Sequence, residues 1–371
     1  MKLVITGGHH SSALPIIKKL QKSNKDVEIH WIGHKYSLRG NNAPTLEFIE
    51  ITDLHIPFYN LNAGKFYKTY NIFRLLKIPF GFIQAFYLLI KIRPDVILSF
   101  GGYLAVPVVL VGKFLGIKSL THEQTIVTGY ANSVIAKYVN KVLISWPESA
   151  KYFPSDKLIY TGIPLRDSIF KVKSKSIKIN TELPTLYITG GKTGAHSINM
   201  AVAEVLTDLL DVCNIIHQCG DHTELKDYEL LEGKYKKLTD KPGKYILRKF
   251  VMDDEIGEVF SKSDLIISRS GAHIVSEVIA LEKPAIFIPI SWVSHNEQLK
   301  NAQMVKDYGL AEIIEEADLQ PHYLLNKIKD VLSHIKSYKL TSKKIKDELL
   351  KDSTSIIVNE IFDLYKTKST H

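Results

Sequence analysis

Asp264-Leu265-Ile266-Ile267-Ser268-Arg269-Ser270-Gly271-Ala272 reads as a short apolar strand running into a turn of small residues, with a helix beyond it that carries Glu277. A second apolar run, Pro284 to Pro289, follows, and then Asn296-Glu297-Gln298. Such a strand–loop–helix–strand unit suits a sugar nucleotide. Free N–H groups at a helix start attract a diphosphate, and a glutamate accepts hydrogen bonds from both hydroxyls of a ribose. An ordinary α/β crossover with a Ser-Gly turn has the same residues, so the decision rests on the rest of the chain.

Outward from that stretch, the same pattern recurs. Leu3 to Thr6 is a buried-type strand followed by Gly7-Gly8-His9-His10-Ser11-Ser12 and an amphipathic helix through about Leu20. Further strands are expected near Val27 to Ile32, Glu47 to Ile51, Asp95 to Phe100, Lys118 to His122 and Lys141 to Ser145. A second strand and glycine loop, Thr185 to Thr189 and Gly190-Gly191-Lys192-Thr193-Gly194-Ala195, opens the second half. Alternation of this kind predicts parallel, doubly wound sheets with glycine loops placed for phosphate.

The length of 371 residues favours two domains. The net charge of +9 fits an anionic membrane or phosphorylated substrates. The basic residues are spread along the chain and no nucleic-acid motif accompanies them, so no nucleic-acid partner is expected. Cys213 and Cys219 fall in one predicted strand, about 20 Å apart and beyond disulfide reach. A reducing compartment follows, and Met1-Lys2 leads straight into a strand without a leader pattern, which predicts a cytoplasmic protein. No His, Cys and carboxylate spacing suits zinc and no Asp-x-Asp triplet occurs, so neither metal nor cofactor is expected.

Between Tyr70 and Arg93 lies a segment dense in large apolar residues, among them Phe80, Phe82, Ile83, Phe86, Tyr87 and Ile90. Pro79-Phe80-Gly81 interrupts it, and the uninterrupted part is too short to span a bilayer. Lys65, Lys68, Arg74, Lys77, Lys91 and Arg93 flank or punctuate it, the pattern of a surface that lies on an anionic membrane. A core helix with snorkelling lysines is the alternative.

The run Arg269, Ser270, Gly271, Ala272, Ser276 and Glu277, with Gln298, Asn301 and Ala302 after it, resembles the nucleotide-binding segment of the MurG family. These are peripheral membrane glycosyltransferases that move N-acetylglucosamine (GlcNAc) from UDP-GlcNAc to a lipid-linked muramyl-pentapeptide. Ser99-Phe100-Gly101-Gly102-Tyr103, His122-Glu123-Gln124, Gly162-Ile163-Pro164-Leu165-Arg166, Asn199 and Phe250-Val251 extend the resemblance over essentially the whole chain. Three positions depart from it. Thr125 stands where the family has Asn, Lys192 where it usually has Ser, and the first loop lacks the family's Gly-Gly-x-Gly-Gly-His. Alignment on Pro15 puts Ser12 at that histidine.

The resemblance implies a GT-B fold, two Rossmann-like domains facing a cleft. The expected boundaries are 1–164 for the acceptor and membrane domain, 165–182 for a linker, 183–350 for the UDP-sugar domain and 351–371 for a helix crossing back. It implies inverting transfer of GlcNAc to undecaprenyl-diphosphate-linked N-acetylmuramyl-pentapeptide (lipid I to lipid II), at the inner face of the cell membrane. On the donor, Glu277 would hold ribose and the Val251 backbone uracil. Gly191, Lys192, Ala272, His273, Ile274 and Arg166 would surround the diphosphate, and Gln298 would take sugar hydroxyls. On the acceptor side stand Gly8, His9 and Thr125, with His10 as base and Ser12 and Glu123 as further catalytic candidates. His122 and His217 read as structural. Transfer to another lipid-linked or glycolipid acceptor, and a UDP-sugar epimerase of the same architecture, are the alternatives.

Overall fold

The structure is a computed structural model. It describes residues 1–371 except 9, 24–25, 37–43, 65–71, 192–193, 223, 292–295, 343–344, 346, 348–351 and 368–371, and gives only the backbone of 72–77. The chain divides into two compact units, Met1–Leu165 with Lys351–His371, and Arg166–Leu350.

Unit 1 runs β1 (Lys2–Thr6), α1 (His10–Lys22), β2 (Glu28–Gly33), α2 (Leu46–Asp53), β3 (Phe58–Asn60), α3 (Ile72–Ile92), β4 (Val96–Ser99), α4 (Ala105–Phe114), β5 (Lys118–Glu123), α5 (Tyr130–Ile135), β6 (Lys141–Ile144) and β7 (Leu158–Tyr160). The strands form one parallel sheet in the order β3-β2-β1-β4-β5-β6-β7. Side chains alternate across it, so Leu3 and Ile5 enter one apolar layer and Val4 the other. Burial on both faces is what makes these strands read as unbroken apolar runs.

Unit 2 repeats the plan with β8 (Thr185–Thr189), α6 (His196–Leu210), β9 (Asn214–Gln218), α7 (Asp227–Tyr235), β10 (Tyr245–Arg248), α8 (Ile256–Lys262), β11 (Leu265–Ser268), α9 (Ala272–Leu281), β12 (Ala285–Phe287), α10 (Glu297–Asp307), β13 (Ala311–Ile313) and α11 (Pro321–Ser333). Its parallel order is β10-β9-β8-β11-β12-β13. In both sheets the direction of strand succession reverses beside the first strand, the place where open α/β sheets bind ligands. The last helix, α12 (Ser353–Lys366), belongs to unit 1. It starts on Asp352, whose side chain accepts from the Ser355 N–H at 2.9 Å, and buries Ile357 and Ile361 in the layer shared with α1.

One expectation changes. Glu47 to Ile51, read as a strand, is the middle of helix α2, and the strand follows it at Phe58. Thr45 caps that helix, its Oγ1 accepting from the Phe48 N–H at 3.2 Å and donating to the His34 carbonyl at 2.7 Å. The stretch read as a polar linker is fastened to unit 2. The backbone N–H groups of Ser176 and Ile177 donate to the buried Glu258 carboxylate at 2.9 and 3.1 Å. Helix α3 continues through Pro79 and Gly81, and a Cβ at Gly81 would press on Ala63 at 2.8 Å, so the glycine admits a close approach.

Burial pushes the Glu47 carboxyl up to about 7 from its ordinary 4.5, against hydrogen bonds from Trp31 Nε1 at 2.6 Å and from the His34 backbone. A raised folded-state pKa stabilises below about pH 4.5, and that contribution is lost as pH rises through about 7. Glu47→Gln is therefore expected to raise the melting temperature over the parent at pH 8 and to gain much less at pH 5. A difference independent of pH would show that the buried carboxyl does not titrate in this range.

Candidate functional site

In unit 1 the ends of β1 and β4 carry the two glycine loops. The Phe100 N–H donates to the Thr6 carbonyl at 2.8 Å, and the Gly8 N–H to the Gly101 carbonyl at 3.3 Å. Helix α1 begins immediately above this junction with His10 as its first residue. His10 Nε2 meets Glu50 Oε2 of α2 at 2.7 Å, within the range of a charge-assisted bond. Sequence reading missed Glu50 because it took that segment for a strand. Ser12 is fully buried at 0% exposure, on the core side of α1, so it is removed from the surface where an acceptor would lie. His9 lies outside the described residues.

Glu123, at the end of β5, is also buried. Its Oε1 accepts from the backbone N–H of Gln124 (2.9 Å) and of Thr125 (3.2 Å), and lies 3.0 Å from Thr125 Oγ1. Its Oε2 accepts from Asn132 Nδ2 at 3.0 Å and the Gly129 N–H at 3.4 Å. A carboxylate with donors on both oxygens organises the loop 124–129 and has little capacity left to remove a proton from a substrate. Thr125 is committed to the same loop, with its hydroxyl 2.6 Å from the Val127 carbonyl. Ser12, Glu123 and Thr125 are thus buried, whereas His10 is only partly so. His122 is structural, its Nε2 lying 3.0 Å from the Gly162 carbonyl.

In unit 2 the candidate residues gather at the ends of β8, β9 and β11. Gly271 precedes α9 with no side-chain cap, so the first-turn N–H groups near Ala272, His273 and Ile274 suit an anion. Glu277, one turn and a half further, is buried, and its Oε1 accepts from Arg166 Nε and Nη2 at 3.2 and 3.1 Å. Sequence reading had assigned these two residues to different parts of the donor, and the structure joins them. Gly191, at φ 77°, is exposed on the loop after β8. Lys192 lies outside the described residues.

Gln218 ties these segments together, a role the sequence did not reveal. Its Nε2 donates to the Gly191 carbonyl at 2.9 Å, and its Oε1 accepts the Val251 N–H at 2.9 Å. The Val251 N–H is therefore engaged. Gln298 Oε1 accepts from the Ile290 N–H at 3.1 Å, which leaves the amide NH₂ to donate. His217, beside Gln218, is buried between Asn199 and Tyr245, and burial lowers its pKa to about 3, so it is a neutral structural group.

Two parallel-sheet α/β units, each with glycine loops at the ends of its strands, make up a GT-B architecture. The chain matches the glycosyltransferase family 28 N-terminal domain over residues 5–144 and the C-terminal domain over 185–356. A protein of Clostridium kluyveri named "UDP-N-acetylglucosamine--N-acetylmuramyl-(pentapeptide) pyrophosphoryl-undecaprenol N-acetylglucosamine transferase" is 31% identical, covering 98% of this chain and 99% of its own. A Borrelia hermsii protein of the same name is 28% identical over 95% of this chain and 93% of its own. The crystal structure of Acinetobacter baumannii MurG aligns with a TM-score of 0.70 at 25% identity, covering 98% of this chain and 99% of that one. A UDP-GlcNAc 2-epimerase of Neisseria meningitidis aligns at 0.63 and 16% identity over 98% of this chain and 100% of its own, a likeness of fold alone. The chain belongs to the MurG family of UDP-GlcNAc-dependent glycosyltransferases.

If Glu123 holds its loop as a charged acceptor, Glu123→Gln turns an amide NH₂ toward existing donors. The variant is expected to lose about 1.5–3 kcal/mol of unfolding free energy by urea titration, the range for a hydrogen bond to a charged group. Parent-like stability would contradict the scaffold role.

Proposed function

We propose that the chain transfers GlcNAc, with inversion, from UDP-GlcNAc to undecaprenyl-diphosphate-linked N-acetylmuramyl-pentapeptide, converting lipid I to lipid II. The observation that carries this reading is the Arg269-to-Glu277 run at the end of β11, in a chain aligned end to end with relatives named for that reaction. Arg166 spends two of its five donors on Glu277, so further N–H groups can reach a diphosphate while Glu277 Oε2 accepts from ribose. Gly191, Lys192 and the start of α9 supply further donors, the Val251 carbonyl meets uracil, and Gln298 donates to the sugar. As the C1–O bond breaks, negative charge collects on the departing diphosphate, where these fixed donors stabilise it most. His10 takes the proton of the acceptor 4-hydroxyl.

The acceptor is anchored in lipid, and α3 offers the matching surface. Phe80, Ile83, Tyr87 and Ile90 form one exposed stripe at helical spacing, with Ile83 67% and Tyr87 63% accessible. Lys91, Arg93 and Lys113 are exposed on the same helix pair or just beyond it. Phe82 packs half-buried against the core instead. The side chains of 72–77 and residues 65–71, with Lys65, Lys68, Arg74 and Lys77, lie outside the described set. No helix among the described residues is long and apolar enough to cross a membrane. We assign the stripe to lying on the anionic inner face of the cell membrane.

Two measurements follow. Glu277→Ala is expected to weaken UDP binding about tenfold or more by calorimetry, since each hydrogen bond to a charged group contributes about 1.5–3 kcal/mol; unchanged affinity would remove Glu277 from the donor site. Ile83→Ser with Tyr87→Ser is expected to lower binding to phosphatidylglycerol vesicles about tenfold or more, from the apolar area lost, with UDP affinity intact. Undiminished vesicle binding would place the membrane contact elsewhere.

A further inference from the structure

We propose that Glu50 is a positioning residue for the acceptor-activating base: its carboxylate accepts the Nε2 proton of His10 and holds the imidazole with Nδ1 as the proton-accepting nitrogen. The inference rests on the reading of His10 as that base. The contact is 2.7 Å long, with the His10 side chain 15% and the Glu50 side chain 30% exposed, so the ring is sheltered but reachable.

Glu50 is not a loose surface carboxylate. Helix α2 is fixed at its start by the Thr45 cap, on its core side by the fully buried Ile51, and one turn before Glu50 by the bond from Trp31 Nε1 to Glu47. A base has to become protonated as the reaction proceeds, and a facing carboxylate supplies the countercharge. A partly exposed pair of this kind contributes little to stability, so folding alone gives weak reason for it.

The step balances as follows. The acceptor hydroxyl proton passes to His10 Nδ1, the hydroxyl oxygen forms the new bond to the donor C1, and the C1–O bond to UDP breaks with its electron pair leaving on the diphosphate. His10 ends as imidazolium paired with Glu50. Several titratable groups nearby among the described residues have other engagements. Glu47 is turned to Trp31, Tyr103 in the adjoining loop is pushed up by burial to about 12 and stays neutral, and Glu123 holds its own loop. Lys18, Lys19 and Lys22 lie two or more turns along α1, with Lys19 paired to Asp352 at 3.0 Å.

The test compares the full chain with Glu50→Gln, Glu50→Asp and His10→Ala, using UDP-GlcNAc and a short-chain polyprenyl-diphosphate muramyl-pentapeptide at saturation across pH 5 to 9. Glu50→Gln is expected to lower kcat about 10- to 100-fold with both KM values within about twofold. The acid limb of its kcat profile should move to lower pH, because an opposite charge favours the protonated imidazole. Glu50→Asp, which keeps the charge with shorter reach, should fall between, and it provides the comparison if Glu50→Gln does not fold. A parent-like kcat and acid limb in Glu50→Gln, while His10→Ala loses about 10²-fold or more, would overturn the positioning role and leave the base standing. A parent-like rate in His10→Ala would overturn the base assignment itself, and Glu50 with it.

Discussion

A methyl group at position 7 would stand 2.8 Å from the Phe100 nitrogen and 2.8 Å from the Gly101 carbonyl oxygen, and Gly7 already holds φ at 130°. Both conditions exclude a side chain there. The close approach they permit brings the ends of β1 and β4 together, and it fixes the point at which α1 can begin. Gly102, at φ 80°, completes the junction from the other side. His10 faces Glu50 because the helix starts where this junction allows, and the expected acceptor chemistry inherits that placement.

Unit 2 is built under the same constraint. A Cβ on Gly194, at φ 75°, would run into the Cys219 carbonyl, so the loop after β8 lies flat against the end of β9. Side-chain amides and carboxylates then lock what the glycines bring close. Gln218 joins Gly191 to Val251, Glu123 gathers the loop after β5, and Arg269 spans from the Ile288 carbonyl to Ser197 and Glu316.

The architecture was legible in the sequence because strands buried on both faces, such as Leu3 to Thr6 and Leu265 to Ser268, are three apolar residues closed by a hydroxyl residue, with a glycine within three positions after them. The Arg269-to-Glu277 run was legible as one unit for a related reason: its residues are close in sequence as well as in space. Leu46 to Ile51 misled. Its alternating apolar residues and its Phe and Ile content suit a strand, and only Ile51 is buried in the helix it forms, so no helical stripe was visible. Thr45 was the available signal, a capping residue ahead of the segment. Missing the helix meant missing Glu50. The burial of Ser12, Glu123 and Thr125, and the Gln218 bridge to a residue 33 positions away, arise from tertiary packing, which no local pattern records.

The central claim concerns the reaction, and product identification tests it most directly. Purified protein would be incubated with UDP-GlcNAc and a short-chain polyprenyl-diphosphate N-acetylmuramyl-pentapeptide, and the products read by mass spectrometry and proton NMR. The account predicts release of UDP and a single added GlcNAc on the lipid, joined through the muramyl 4-hydroxyl in the β configuration that inversion of the donor requires. An unmodified lipid together with conversion of UDP-GlcNAc to its 2-epimer would contradict it.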